Sequence, residues 1–225
     1  MSMTVADVQE VVDQAQSIPT AAEQKTYKIN NKKSYLITKR VFDIVLSLIG
    51  LSLLWLPMAI VALIVVIESP GPAIYKQERL GKNGKPFNIY KFRSMRLDAE
   101  ENGPQWAQDH DPRCTKVGKV IRRWHIDETP QLLNVLKGEM SIVGPRPERE
   151  YFYQEFEDNL PYYRDRMLVA QGMTCIGQVE LFVHENITPE KKIACDIRYL
   201  QSQSVWTDLK CILKTFGAIF KNKGA

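Results

Sequence analysis

Residues 44–67 read IVLSLIGLSLLWLPMAIVALIVVI, an apolar run of 24 residues without a charged side chain, bounded by Asp43 and Glu68. As a straight helix this run would extend about 36 Å at about 1.5 Å per residue, whereas the hydrocarbon core of a bilayer is about 30 Å thick. The run is therefore long enough and apolar enough to enter a membrane as a helix.

Two features of this segment bear on whether the helix crosses the membrane. Pro57 lies near its middle, where proline removes a backbone hydrogen bond and clashes with the carbonyl four residues earlier, so we expect a kink. Basic residues flank both ends of the run: Lys25, Lys28, Lys32, Lys33, Lys39 and Arg40 precede it, and Lys76, Arg79, Lys82, Lys85, Lys91, Arg93 and Arg96 follow it. A crossing helix should have its basic flank mainly on the cytoplasmic side. A helix that bends at Pro57 and returns to the same face accounts for both features, and a single span with a tolerated proline is the alternative.

The composition of the whole chain limits the class of protein. The 225 residues are 44% hydrophobic and 25% charged, with a net charge of +4 and a mean hydropathy of −0.26. These values exclude a fibrous, disulfide-stapled or wholly disordered chain, and also a many-pass membrane protein. The charge density is far below that of a dedicated nucleic-acid binder, so we expect no nucleic-acid partner.

The cysteines and histidines indicate a reduced protein without a transition metal. The four cysteines, at positions 114, 175, 195 and 211, form no Cys-x-x-Cys pair, and the chain does not start with a signal peptide. We therefore expect reduced, mostly buried thiols and a cytoplasmic soluble part. The three histidines, at positions 110, 125 and 184, have no spacing typical of a helical metal site.

The sequence divides into three parts. Residues 1–34 are polar and are expected to form a partly disordered tail with one short helix around Val8–Ala15. Residues 35–68 are expected to form the membrane helix, and residues 69–225 a cytoplasmic domain that ends in an amphipathic helix.

The soluble part begins with two short strands and continues as helices. Ala73–Gln77 and Pro86–Tyr90 are predicted to pair around a turn at Gly81–Gly84. Apolar stripes then indicate a helix over residues 117–124, and a second helix over residues 132–136 that Gly138 ends. A last amphipathic helix over residues 206–220 could lie in the membrane interface or cover the protein core.

A pair of carboxylates, Asp127-Glu128, precedes the second of these helices, with Pro130 in its first turn. The spacing predicts Asp127 as the N-cap, beside free backbone N–H groups and the positive end of the helix dipole. An N-cap Asp followed by a first-turn Glu is a common helix start, so this pair alone does not require a function.

Arginines near the pair favour an anion site. Arg122 and Arg123 directly precede it, and Arg146 follows between Pro145 and Pro147. Two flanking prolines restrict the backbone around Arg146, which suits a guanidinium that presents a fixed fork to phosphate oxygens. A helix N-terminus, several arginines and two carboxylates could together hold a metal-bound diphosphate. A rigid turn with a solvated arginine is the alternative.

From about Lys39 to Phe216 the sequence resembles the small monotopic phosphoglycosyltransferases, also called bacterial sugar transferases. The stretches that carry the resemblance are KRVFD (39–43), IYKFRSM (89–95), IDETPQLLNVLKGEMS (126–141), VGPRP (143–147) and Trp206–Thr215. Matches of this length in this order are highly specific. The resemblance implies an α+β, mostly helical, monotopic membrane protein with a re-entrant, proline-broken helix. Its small catalytic domain would lie on the cytoplasmic face of the bacterial inner membrane.

The resemblance also implies a reaction. Members of the family transfer a phosphosugar from a UDP-sugar to a membrane polyprenol phosphate, for which we expect undecaprenyl phosphate, and so begin glycan or exopolysaccharide assembly. Asp127 would be the nucleophile that forms an aspartyl phosphosugar and releases UMP, and Asp127 and Glu128 would bind Mg²⁺, with Glu128 also assisting in proton handling. The side chains that contact the substrate's phosphates would be Lys91, Arg93, Arg122 and Arg146. A homo-oligomer is compatible with the resemblance, since homodimers occur in the family.

Two departures from the family pattern keep other hypotheses open. Leu56 stands where the family typically has Ser before the breaking proline, and residues 170–176 read AQGMTCI where the family often has RPGITGW. The second departure motivates an alternative, a non-catalytic membrane-bound homologue that binds polyprenol phosphate or scaffolds glycosyltransferases. A single-pass anchored protein with an unrelated cytoplasmic role is a third, weaker hypothesis.

Overall fold

The computed structural model describes residues 27–101, 103, 105, 111–160, 162–181 and 188–221. It consists of one long helix and a small domain of helices and two short sheets. The helices are α1 (Lys33–Glu68), α2 (Lys116–Arg123), α3 (Gln131–Lys137), α4 (Glu150–Glu157), α5 (Ile176–Leu181), α6 (Pro189–Ser202) and α7 (Val205–Lys221). The strands are β1 (Ile74–Leu80), β2 (Pro86–Phe92), β3 (Ser141–Val143) and β4 (Gly172–Thr174). The α+β, mostly helical fold is thus confirmed, while the short helix expected around Val8–Ala15 lies outside the described residues.

Helix α1 is long enough and apolar enough to cross a membrane by length and composition. Its middle makes few contacts, because Leu53, Trp55 and Leu56 are 72%, 65% and 51% exposed. The helix is continuous through Pro57, so the break at this proline remains a prediction.

Both ends of α1 are fixed to the same domain. Near its start, the Asp43 carboxylate accepts hydrogen bonds from the Ser141 hydroxyl at 3.0 Å and the Ile142 N–H at 2.8 Å. At its end, both carboxylate oxygens of Glu68 accept from the Val117 N–H at the start of α2, at 3.1 and 3.0 Å. Val65 is buried against β2 and α2. The exposed apolar middle therefore lies between two anchored ends.

The strands β1 and β2 form the predicted antiparallel hairpin, and both extend further than the sequence pattern indicated. Tyr75 pairs with Lys91 in the register and Gln77 pairs with Ile89. Because side chains alternate along a strand, Tyr75, Gln77 and Lys91 point to one face of the hairpin. This face forms one wall of the cavity described below.

The strands β3 and β4 form a short parallel pair that brings two loops together. The two loops approach so closely that a Cβ on Gly172 would overlap the Gly144 backbone, and a Cβ on Gly144 would overlap the Ala170 carbonyl oxygen. Beside this pair, the buried core contains Val143, Tyr199 and Leu200.

The predicted helices are confirmed, with Gly138 ending α3 at a φ of 83°. Helix α7 buries Cys211 but leaves Trp206, Leu213 and Phe216 more than half exposed, so it covers the core with one face only. The four thiols are free, and three of them are buried, as expected.

Candidate active site

The carboxylate pair lies in a single 3-10 turn, Ile126–Glu128, between α2 and α3. His125 enters this turn with a φ of 54°, in the left-handed region. The prediction of Asp127 as an N-cap is wrong, because the N-cap of α3 is Pro130. The intervening 3-10 turn separates Asp127 from α3, and the N–H groups of Leu132 and Leu133 donate instead to the Thr129 and Pro130 carbonyls.

Glu128 lies between two cations from distant parts of the chain. Its Oε1 accepts from the Lys91 ammonium at 3.0 Å, and its two oxygens accept a bidentate pair of hydrogen bonds from the Arg146 guanidinium. These cations hold the pKa of Glu128 well below its usual range, although burial alone would raise it. Glu128 is therefore ionised and fixed in orientation.

Asp127 has the opposite environment. It is only 6% exposed, and in the described part of the chain its carboxylate has no ion pair. Burial, followed by repulsion from Glu128, raises its pKa to about 6, while Lys91, Arg122 and Arg146 oppose the rise. The two neighbouring carboxylates therefore differ: Glu128 is paired with two cations and has a lowered pKa, whereas Asp127 has a raised pKa.

A cavity of about 640 Å³ opens beside this pair. A volume of this order is typical of small-molecule and cofactor sites. Its lining includes the cations Arg79, Lys91, Arg93, Arg96, Arg113, Arg122, Arg146, Arg149 and Lys192. The acidic side chains in the lining are Glu100, Asp127, Glu128 and Glu148. Cations thus outnumber acids in the lining, so the cavity suits a polyanion.

The structure brings all the residues predicted for the site, other than Pro57, into this one cavity. Arg93 also has a structural role, because its guanidinium donates to the carbonyls of Ser69 and Pro70 and fixes the chain that leaves α1. Residues 170–176 do not line the cavity. Instead, Gln171 is fully buried and donates to the carbonyls of Arg166 and Val169. The unusual sequence of this segment therefore affects a packed region next to the site.

Sequence patterns did not indicate several of the charged residues that lie around the cavity. Arg79 pairs with Glu148 at 3.1 Å, and Lys192 pairs with the other oxygen of Glu148. Arg166 pairs with Asp196 at 2.7 Å. Their separation along the chain hides these pairs. Only the spacing of Tyr75, Gln77 and Arg79 at every second position of a strand could have placed these three side chains on one face.

The side chains present fit Mg²⁺ only in part. The described residues contain no group of three His, Cys, Asp or Glu residues that could hold a metal ion. Oε1 of Glu128 accepts from both Lys91 and Arg146, whereas Oε2 accepts from Arg146 alone, so Oε2 is the oxygen of Glu128 with more capacity for a metal. Asp127 fits as a single carboxylate ligand, and Mg²⁺ commonly binds through one or two carboxylates together with substrate phosphates.

The raised pKa of Asp127 predicts a stabilising substitution. Its value of about 6 in the folded protein lies above the ordinary 3.8, so ionisation of Asp127 lowers the free energy of unfolding as the pH rises through this range. In buffer without divalent cations, Asp127→Asn should therefore raise the Tm at pH 8 by at least ~2 °C and should have little effect below about pH 4. Thermal melts across this range measure the difference, with Asp98→Asn, a half-exposed site, as the control. Equal melting temperatures at pH 8 would contradict the prediction.

The chain is similar to known proteins over most of its length. The family model described as bacterial sugar transferase matches residues 34–222. A provisionally named undecaprenyl-phosphate N-acetylgalactosaminyl 1-phosphate transferase of Bacillus subtilis (strain 168) is 53% identical over 133 residues, which are 59% of this chain and 74% of that protein.

Two further relatives are similar over most of the chain. A UDP-N-acetylgalactosamine-undecaprenyl-phosphate N-acetylgalactosaminephosphotransferase of Aeromonas hydrophila is 41% identical over 192 residues, which are 85% of this chain and 45% of that protein. A UDP-glucose:undecaprenyl-phosphate glucose-1-phosphate transferase of Escherichia coli (strain K12) is 39% identical over 192 residues, which are 84% of this chain and 41% of that protein. The chain thus spans less than half the length of these two relatives.

Proposed function

This chain belongs to the bacterial sugar transferase family, whose members are polyprenol-phosphate phosphoglycosyltransferases, and we propose that it transfers a sugar phosphate from a UDP-sugar to undecaprenyl phosphate, releasing UMP. The observation that carries the proposal is the contrast within the carboxylate pair. Glu128 is held by two cations, while Asp127 has no ion pair in the described residues and lines a cavity rich in cations.

The proposed reaction has two steps. In the first, a carboxylate oxygen of Asp127 forms a bond to the β-phosphorus of the UDP-sugar, and the bond from that phosphorus to the bridging oxygen breaks. UMP leaves with the electron pair, so the step needs no proton. In the second, a phosphate oxygen of undecaprenyl phosphate attacks the same phosphorus, and the Asp127 carboxylate is released. The product is a lipid-linked sugar diphosphate.

The cations of the cavity make attack by a carboxylate on a diphosphate feasible. Two anions repel each other unless charge in the site compensates, and guanidinium and ammonium groups provide this compensation. Lys91 and Arg146 are held in place by Glu128 before substrate arrives. We assign Glu128 the role of orienting these two cations.

Mg²⁺ would be held by Asp127 and the donor's phosphates, where it would neutralise charge on the diphosphate. Arg122, which lines the cavity beside Asp127, is assigned to the same diphosphate.

We propose that α1 is a re-entrant membrane helix and that the catalytic domain lies on the cytoplasmic face, and the anchoring of α1 supports the first of these proposals. Its two ends are anchored to one domain, and its exposed middle is apolar. The acceptor's long polyprenol tail stays in the bilayer, so the catalytic site has to lie at the membrane surface. A helix that enters and returns on one side places the domain there.

The re-entrant arrangement predicts the accessibility of two exposed positions on either side of α1. In a variant without native cysteines, Lys28→Cys and Lys85→Cys should both be protected from a membrane-impermeant maleimide in intact cells. Both should react after the membrane is permeabilised. Labelling of Lys28→Cys in intact cells, with Lys85→Cys protected, would instead indicate a helix that spans the membrane.

The reaction is tested by measuring UMP release. Purified protein in detergent or lipid would be incubated with Mg²⁺, undecaprenyl phosphate and a panel of UDP-sugars that includes UDP-N-acetylgalactosamine and UDP-glucose. We expect release with at least one donor. Binding of undecaprenyl phosphate without UMP release from any donor would favour the alternative, a non-catalytic homologue.

A further inference from the structure

The loop that carries Arg146, residues 145–147, is held through its backbone carbonyls. Pro145 and Pro147 lack backbone N–H groups, so the loop can be fixed mainly through its carbonyls. All three successive carbonyls accept hydrogen bonds. Pro145 O accepts from the Gly172 N–H at 2.8 Å, Arg146 O from the Arg166 guanidinium at 2.9 Å, and Pro147 O from the Arg79 guanidinium at 3.4 Å.

The Arg166 guanidinium lies deep in the protein. Its side chain and that of Asp196 are 0% and 1% exposed, and the two groups are 2.7 Å apart. Arg166 also donates to the Tyr163 hydroxyl at 2.9 Å. Burying such a pair costs desolvation energy, and well-packed apolar residues are often at least as stabilising. The pair is therefore better explained by the contact of Arg166 with the Arg146 carbonyl than by a contribution to the free energy of unfolding.

We propose that Arg166, oriented by Asp196, is a positioning residue that fixes Arg146 for phosphate binding; this rests on the proposed function. The contacts form a continuous chain. Asp196 holds Arg166, Arg166 holds the Arg146 carbonyl, and the Arg146 side chain binds Glu128 beside Asp127.

Only a guanidinium suits this role. Its planar N–H groups donate to two different acceptors, the Arg146 carbonyl and the Tyr163 hydroxyl, while the Asp196 carboxylate forms an ion pair with it at 2.7 Å. A lysine ammonium keeps the charge but cannot reproduce this planar arrangement. Because displacements of about 1 Å can cost about 100-fold in rate, loss of the carbonyl contact should be measurable at the site.

The test is a double-mutant cycle with two readouts, the dissociation constant for UDP and the rate of UMP release. Arg166→Lys should weaken UDP binding and slow release by ~10-fold or more. Arg146→Ala should have a larger effect, and the double variant should match Arg146→Ala alone, because Arg166 acts through Arg146. Arg164→Lys is the matched control, since Arg164 lies two residues away and forms ion pairs with Glu150 and Glu157, which do not line the cavity. It should leave both readouts unchanged.

Each outcome separates positioning from a merely structural role. Multiplied losses in the double variant, or an Arg166→Lys variant that binds UDP like the wild type, would overturn the proposal. If Arg166→Lys does not fold, Asp196→Asn, which preserves volume and weakens the hold on Arg166, should give the same non-additive loss. If wild-type protein binds UDP but releases no UMP, the proposed reaction fails while the UDP dissociation constants still decide on positioning. Failure of the wild type to bind UDP would overturn both.

Discussion

Replacing Asp127 by asparagine should reduce UMP release by at least ~1,000-fold, because the amide is not a nucleophile towards phosphorus. The substitution is nearly isosteric, and Asp127 has no ion pair in the described part of the chain that the change could break. The fold should therefore survive, and the higher Tm expected at pH 8 provides an internal check that the inactive protein is folded. The initial rate of UMP release, with the donor that works best for the wild type, is the measurement.

The control for this experiment is Asp98→Asn, which changes an exposed aspartate that pairs with Arg96 at 3.4 Å. It should retain wild-type activity. Substantial UMP release by a folded Asp127→Asn protein would remove Asp127 from the role of nucleophile and would leave the cationic cavity as a binding site only.

Replacing Arg146 by lysine should lower kcat/KM by ~100-fold or more, although the charge is kept. In the structure, two nitrogens of Arg146 bind the two oxygens of Glu128. A lysine can bind at one point only, so Glu128 and Lys91 lose their fixed arrangement, and the phosphate loses a planar donor. The effect should fall on kcat as well as on KM, because the misplaced charges act on the transition state.

Arg164→Lys is again the control, since Arg164 pairs with Glu150 and Glu157, which both lie on α4. Wild-type kcat/KM in Arg146→Lys, together with normal folding, would mean that the guanidinium fork is not needed and that Arg146 contributes only its charge.

The sequence predicted those helices, strands and helix ends that depend on residues close together along the chain. The uncharged run 44–67 predicted α1, and the paired apolar segments around Gly81–Gly84 predicted the hairpin of β1 and β2. Gly138 predicted the end of α3, where the backbone has a positive φ that glycine adopts without strain. In each case the deciding interactions lie within a few residues along the chain.

The parts that could not be predicted depend on contacts between distant residues. Asp127 was expected to cap α3, but the 3-10 turn at Ile126–Glu128 separates it from that helix. Motif spacing could not predict that Lys91 and Arg146 meet on Glu128, nor that Arg166 and Asp196 form a buried pair behind the site. These contacts arise from packing of the hairpin, the 145–147 loop and α6.

The geometry also refines what the family resemblance implies about Glu128. The resemblance assigned it to metal binding and proton handling, whereas its two oxygens are both engaged by cations and its pKa lies well below the usual range. An ionised carboxylate in this position orients positive charge. Burial raises the pKa of Asp127 to about 6, and Asp127 is the carboxylate that we propose as the nucleophile.

The most direct test of the covalent mechanism is the mass of the protein after it meets the donor alone. Wild-type protein would be mixed with the most active UDP-sugar and Mg²⁺, without undecaprenyl phosphate, and analysed by intact-protein and peptide mass spectrometry. We predict one added sugar phosphate per chain on the peptide that contains Asp127, together with one equivalent of UMP. Full turnover on later addition of undecaprenyl phosphate, but with no adduct and no UMP before that addition, would contradict the aspartyl intermediate and indicate direct transfer between donor and acceptor.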